Sequence, residues 1–285
     1  MEEKALMEQL RAALLGQHEV RRTFRQKTAF IAWVRAYAEG LGVRVTVEES
    51  GQMIRSRNIV FGDADKARTI ITAHYDTCAW MPTGAVTTPG CWPLLVLTEL
   101  MQLVLLLPLL AIMFFGVSNP HTANDNTSGV IALLEAALVL PEERRGEVAF
   151  VWFDNEESGL FGSSAFAQKH KDAAKNTLLV NFDCVSDGDT FLVVLPHRMK
   201  DEPLADVLRA SFMPHGGKEA VFPTTKRAVY PSDQVRFRRG VGVAALKRGK
   251  LGLYLDRIHT KEDTAFDETN IACCVDGMLR LAERV

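Results

Sequence analysis

Thr69-Ile70-Ile71-Thr72-Ala73-His74-Tyr75-Asp76-Thr77 is the stretch that decides the fold class. Residues 69–73 carry no charge and are rich in β-branched side chains, as expected of a strand buried on both faces. The chain then turns at once to an imidazole and a carboxylate. Outward from this point the same grammar recurs. Residues 148–153 are apolar and lead through Asp154 to Asn155-Glu156-Glu157; 178–182 are apolar but for Asn181 and end at Asp183; the run 251–255 precedes His259. Helical patterns fall at 128–140, 160–170, 201–212 and 267–283, with two more in roughly the first forty residues, and further strands at 43–47, 53–61, 191–195 and 241–246. Strands alternating with helices predict an α/β fold, a three-layer α/β/α sandwich around a mostly parallel, mixed sheet. Open α/β sheets place their sites outside the carboxyl ends of the strands, so these acid and imidazole clusters are expected to converge in one crevice.

Bulk properties narrow the classes. A chain of 285 residues can be one catalytic domain, 1–285, with one core. A formal net charge of −2 supplies no basic field, which argues against a nucleic-acid partner. The cysteines (Cys78, Cys91, Cys184, Cys273, Cys274) are odd in number, unevenly spaced and without a CxxC pair, so they form neither a disulfide framework nor a thiolate zinc motif. That pattern fits a reducing compartment. The first ten residues open acidic and amphipathic, unlike a secretory signal. A cytoplasmic location is the expectation.

Each candidate site residue has a plain structural reading beside the chemical one. His74 and Asp76 lie two apart at a strand end, on one face, where the carboxylate can orient the imidazole of a metal ligand. Asp125, in Asn124-Asp125-Asn126-Thr127-Ser128-Gly129, stands where a helix N-cap would stand. Glu156 and Glu157 are adjacent, so their side chains diverge, one able to hold a metal and the other to act as a base. Asp183 closes an apolar strand, where an unpaired carboxylate carries a heavy desolvation cost that a cation would remove. His259, in Ile258-His259-Thr260-Lys261-Glu262-Asp263-Thr264, is a late histidine between strand and loop.

Taken in order, Thr72-Ala-His-Tyr-Asp, Asn124-Asp-Asn-Thr-Ser-Gly, Asn155-Glu-Glu-Ser-Gly-Leu-Phe-Gly-Ser, Asn181-Phe-Asp183, Ser232-Asp233 and Ile258-His-Thr-Lys-Glu-Asp-Thr resemble the M28 zinc metallopeptidases of the aminopeptidase type. The resemblance runs from about residue 70 to the last helix and implies a zinc-exopeptidase-like fold. It also implies two zinc ions bridged by Asp125, one completed by His74 and Asp183 and the other by Glu157 and His259, with Co2+ or Mn2+ able to occupy the same ligands. In that arrangement Glu156 is the general base, Asp76 supports His74, and a metal-activated water hydrolyses the peptide bond. A cis peptide between Asp125 and Asn126 is expected as well. Two departures concern substrate. Gln234 follows Asp233 where many members have histidine, and Ile258 stands where some aminopeptidases carry an oxyanion-stabilising tyrosine; Tyr230 is the candidate substitute.

The resemblance is interrupted by an insertion at about 80–120, within which 92–117 is almost wholly apolar, Glu99 and Gln102 being its strongly polar exceptions. Its flanks supply ligands to one metal pair, so a single membrane crossing is ruled out. Pro108 is expected to divide it into a helical hairpin. Three roles compete: a monotopic membrane anchor that would attach the protein peripherally, a lid over the substrate pocket, and an oligomer contact. No Lys or Arg lies between Arg68 and Arg144, which removes attraction to anionic lipid. The functional expectation is an aminopeptidase acting on peptides. Its alternatives are a glutaminyl cyclase or carboxypeptidase on the same scaffold, and a catalytically inactive membrane-associated binding protein. The full complement of competent residues argues against the last of these.

Overall fold

The computed structural model describes residues 2–40, 42–51, 54–82, 87–104 and 106–285. The start of the strand expected at 53 and residues 83–86 and 105 of the insertion lie outside them. The described strands are β1 (Val45–Ser50), β2 (Ser56–Phe61), β3 (Thr69–His74), β4 (Val148–Phe153), β5 (Leu178–Phe182), β6 (Thr190–Val194), β7 (Glu219–Val221), β8 (Gly240–Gly249) and β9 (Gly252–Tyr254). They form one sheet in the order β1-β2-β4-β3-β5-β8-β6-β7, with β9 beside β8. The inner four, β4, β3, β5 and β8, are parallel, while β1, β2, β6 and β9 pair antiparallel with the strands inside them, giving the mixed sheet expected.

The helices are α1 (Glu2–Leu15), α2 (Phe24–Gly40), α3 (Trp92–Val104), α4 (Leu106–Phe115), α5 (Gly129–Val139), α6 (Phe161–Lys169), α7 (Lys171–Asn176), α8 (Pro203–Ser211) and α9 (Glu268–Arg284). Side chains alternate across each inner strand, and the alternation sorts the core into layers. Ile71, Ala73, Phe150, Trp152, Val180, Phe182, Val241 and Val243 pack with α1, α2, α5, α8 and α9 on one face. Ile70, Ala149, Val151, Phe153 and Leu179 face the other way, onto Phe166 of α6 and Ala173 and Ala174 of α7. Both faces are covered, so β3, β4 and β5 are buried along their full length, as their uncharged sequences require.

Two short elements, α7 and β7, escape the sequence periodicity because six and three residues complete too little of any repeat. Residues 106–115 of the insertion are helical through Pro108, so the division expected at that proline does not fall there. Leu95 is buried, whereas Trp92, Val96, Leu97, Leu100, Met101, Leu103 and Val104 of α3 are exposed. No described helix is long and apolar enough to cross a membrane.

Candidate active site

The parallel register makes the strand ends coincide. His74 of β3 lies opposite Phe153 of β4, and Thr72 opposite Asn181 of β5, so the residues that leave these strands emerge on one edge of the sheet. Those residues are His74, Asp76, Glu156, Glu157 and Asp183. The connections from β3 to β4 through α5 and from β4 to β5 through α6 and α7 run on opposite faces, which opens a crevice at that edge.

Asp125 reaches the crevice from the turn Ala123–Ser128 that precedes α5. Its backbone is pinned from three sides. Asp263 accepts the N–H groups of Asn124 and Asp125 at 2.9 and 3.0 Å. Asn124 Oδ1 accepts the N–H groups of Ser186 and Asp187. Asn126 donates to the Phe182 carbonyl at 2.9 Å and accepts from the Cys184 N–H at 3.2 Å. A side chain at Gly129 would meet Asn126 Oδ1 and the Phe182 carbonyl at 2.5 Å, so only glycine lets α5 begin this close to β5. The Asp125–Asn126 peptide is cis, as expected. The first N–H of α5, that of Gly129, is taken by Asn126 Oδ1 at 3.1 Å and not by Asp125, so the capping reading of Asp125 gives way.

Freed from capping, the Asp125 carboxylate faces two imidazoles. Oδ1 lies 3.3 Å from His74 Nε2 and Oδ2 lies 3.0 Å from His259 Nε2. Asp183 Oδ1 is 3.6 Å from the same His74 nitrogen, and Glu157 Oε2 is 3.2 Å from the same His259 nitrogen. The five ligand candidates therefore divide into His74–Asp183 and His259–Glu157, joined through Asp125. Asp76 acts partly as expected. Its main-chain oxygen is 3.1 Å from His74 Nδ1, while its carboxylate, 3.6 Å from that nitrogen, accepts the N–H groups of Glu156 and Glu157. One residue thus orients the imidazole and the turn that carries the two glutamates. Asn155, Cys184 and His259 all have positive φ: His259 is a ligand candidate, Cys184 follows one, and Asn155 precedes the candidate base Glu156.

The electrostatics are those of crowded carboxylates. Burial pushes the Glu156 carboxyl well above the usual range, and the charges of Asp233, Asp183 and Glu157 add to it while His74 opposes. Burial likewise raises Glu157, and takes Asp233 and Asp263 up to about 7. Burial opposes the anion at Asp125 too, but the bonds to His259 and His74 outweigh it and hold that carboxyl below its ordinary range. The two imidazoles are raised well above theirs because the surrounding carboxylates overcome desolvation. Glu157 Oε1 and both Asp233 oxygens are buried without a hydrogen-bond partner among the described residues. Glu157, whose other oxygen lies 3.2 Å from His259 Nε2, thus offers an unpartnered oxygen beside an imidazole, a donor set that suits a cation.

Tyr230 is buried nearby, its hydroxyl donating to the Asp183 carbonyl at 3.4 Å. Reasoning from sequence missed the cations beneath the site. Lys27 of α2 donates to Asp154 Oδ1 at 2.5 Å and Asn155 Oδ1 at 2.6 Å, bracing the turn before Glu156. Arg21, fully buried, donates to the Tyr75 carbonyl and to Thr127 Oγ1, linking the end of β3 to the Asp125 turn. Burial lowers its pKa to about 10. Neither residue sits in a motif, and no spacing could have marked it. A cavity of about 260 Å³ opens beside the site, lined by Arg22, Lys27, Asp76, Cys78 and Glu157, with Met113 and Phe114 of α4 forming part of its wall.

A sheet edge at which imidazoles and carboxylates meet in this pattern defines a class, and the comparisons agree. The model of peptidase family M28 matches residues 58–282, and the chain belongs to that family. A probable leucine aminopeptidase from Arthroderma otae is 32% identical over 80 residues, which are 25% of this chain and 22% of that protein, so the likeness spans under a quarter of the relative's length. Porphyromonas gingivalis glutaminyl cyclase superposes with a TM-score of 0.64 at 17% identity, over 99% of this chain and 96% of that one. The LapA aminopeptidase of Legionella pneumophila gives a TM-score of 0.62 at 15% identity, over 99% and 71%. At these identities the superpositions establish a shared fold.

Proposed function

We propose that the chain is a two-metal aminopeptidase that releases N-terminal residues from peptides. The observation that carries this reading is the division of the Asp125 carboxylate between two imidazoles, each accompanied by a second carboxylate. His74, Asp183 and Asp125 would hold one zinc ion; His259, Glu157 and Asp125 would hold the other. When bound, the metals supply Lewis acidity and a water acidic enough to ionise near neutral pH. Glu156, diverging from Glu157 at the turn, takes a proton on its carboxylate and returns it to the leaving amine. Its raised proton affinity suits that exchange. Asp76 and Lys27 hold the turn in place. Tyr230 could serve an oxyanion only by giving up its bond to the Asp183 carbonyl, so its present contact favours holding Asp183. Among the roles weighed for the insertion, Met113 and Phe114 in the cavity wall favour a lid.

A glutaminyl cyclase is the second reading, supported by the near-complete coverage of the P. gingivalis enzyme's length. One experiment separates the two. The purified chain is assayed for metal content and for turnover of free aminoacyl anilides, their N-acetylated forms and peptides with N-terminal glutamine, before and after chelation. Metal-dependent cleavage confined to unblocked anilides is expected. Cyclisation of the glutamine peptide without anilide cleavage would replace the first reading by the second.

A further inference from the structure

Cys78 stands four residues past His74, where the chain leaves β3. That segment is tied to the loop of His259. The Met81 N–H donates to the His259 carbonyl at 2.8 Å, and the Asn119 side chain, which donates to the Thr260 carbonyl at 2.9 Å, lies 3.9 Å from Cys78 Sγ. The sulfur is thereby buried, with Cys78 2% exposed, and Sγ, an imidazole nitrogen of His259 and a carboxylate oxygen of Glu157 all lie within 4.8 Å of one another. A second observation points to a ligand at the same spot. The Glu157 side chain is 10% exposed and its Oε2 faces His259, yet its Oε1 is left without a partner among the described residues. A buried carboxylate oxygen without a donor is costly, and a cation between these three groups removes the cost.

We infer that Cys78 is a thiolate ligand to the metal that His259, Glu157 and Asp125 hold. The inference rests on the two-metal reading and adds a sulfur to one of its positions. Coordination forms a metal–sulfur bond as the S–H proton leaves for solvent, with no electron transferred. The two positions then differ in kind. A sulfur donor favours zinc or cobalt over manganese at the His259 side, which narrows the choice that oxygen and nitrogen ligands leave open. Cys184 provides the contrast. Its sulfur lies within the same 4.8 Å limit of Asp125 and Asp183 oxygens, but neither of those carboxylates has an orphaned buried oxygen among the described residues.

The full chain, stripped of metal and reloaded with Co2+, tests this by absorption spectroscopy. A sulfur-to-cobalt charge-transfer band in the near ultraviolet is expected in the native chain and in Cys184→Ser, and its loss in Cys78→Ser. The visible bands of bound cobalt should persist in all three. Bound cobalt with no near-ultraviolet band in the native chain overturns the inference and leaves the two-metal reading standing. A band that survives Cys78→Ser overturns it as well. A native chain that binds no cobalt removes the two-metal reading and the thiolate ligand together. Cadmium NMR of the native chain, independent of any variant's folding, should show one resonance shifted downfield by sulfur; two resonances in the oxygen–nitrogen range would contradict it.

Discussion

Two segments of the same β3–β4 connection obey opposite rules. The turn Ala123–Ser128 is polar and wholly buried, and its neighbours on three elements donate to it or accept from it. Helix α3, earlier in the connection and beyond α4, is apolar and largely exposed on one side. Buried polar groups demand partners at hydrogen-bond distance, so the turn needs particular residues in a particular order. An exposed apolar face demands only apolar character, and many sequences supply that. The first kind of segment reads as a motif; the second reads as composition.

Four measurements test this contrast. The largest effect belongs to Glu156→Gln, expected to lower turnover by about 10²–10⁴ while metal content stays unchanged. Undiminished turnover in steady-state assays would place the proton transfer elsewhere. Next is Lys27→Met, which leaves Asp154 buried without its cation; a loss of roughly 3–5 kcal/mol in urea unfolding is expected, because breaking a buried pair strands the remaining charge. A loss below about 1 kcal/mol would be the surface-pair value and would show the turn to be braced by other contacts.

A smaller effect concerns pH. Asp233, ordinarily titrating at 3.8, is raised to about 7, by burial above all. Between those values the folded metal-free chain holds a proton that the unfolded chain has lost, so stability should fall as pH rises from about 4 to about 7. Asp233→Asn should flatten that slope when unfolding midpoints are measured across the interval, and an unchanged slope would assign it to other groups. The smallest effect is Leu100→Ala in α3. Its exposure predicts a change within about 0.5 kcal/mol; a clearly larger loss would mean that this face is covered in solution.

The legible part of the molecule follows the same division. Strands β3, β4 and β5 announce themselves because burial on both faces excludes charge, and the residues after them carry the only carboxylates and imidazoles that such strands could tolerate. His74, Glu157 and Asp183 stand out this way, whereas Asp125 and His259 needed the ordered motifs of the resemblance; all five meet. The chemistry of Asp263 was half legible: it stands in the block around His259, yet its service to the Asn124 and Asp125 N–H groups depends on a fold that joins residues far apart in sequence. Lys27 and Arg21 were illegible because a buried cation on an N-terminal helix or loop looks like any solvated one until its partners are known.

Lys27 and Arg21 lie before residue 58, where the family match begins. A fragment trimmed to that boundary would retain every side chain assigned to metal or proton transfer, yet Asp154, Asn155 and the Tyr75 carbonyl would lose their donors. The opening residues, Lys27 on α2 and Arg21 on the loop before it, thus act as an internal counterion for an acid-rich machine.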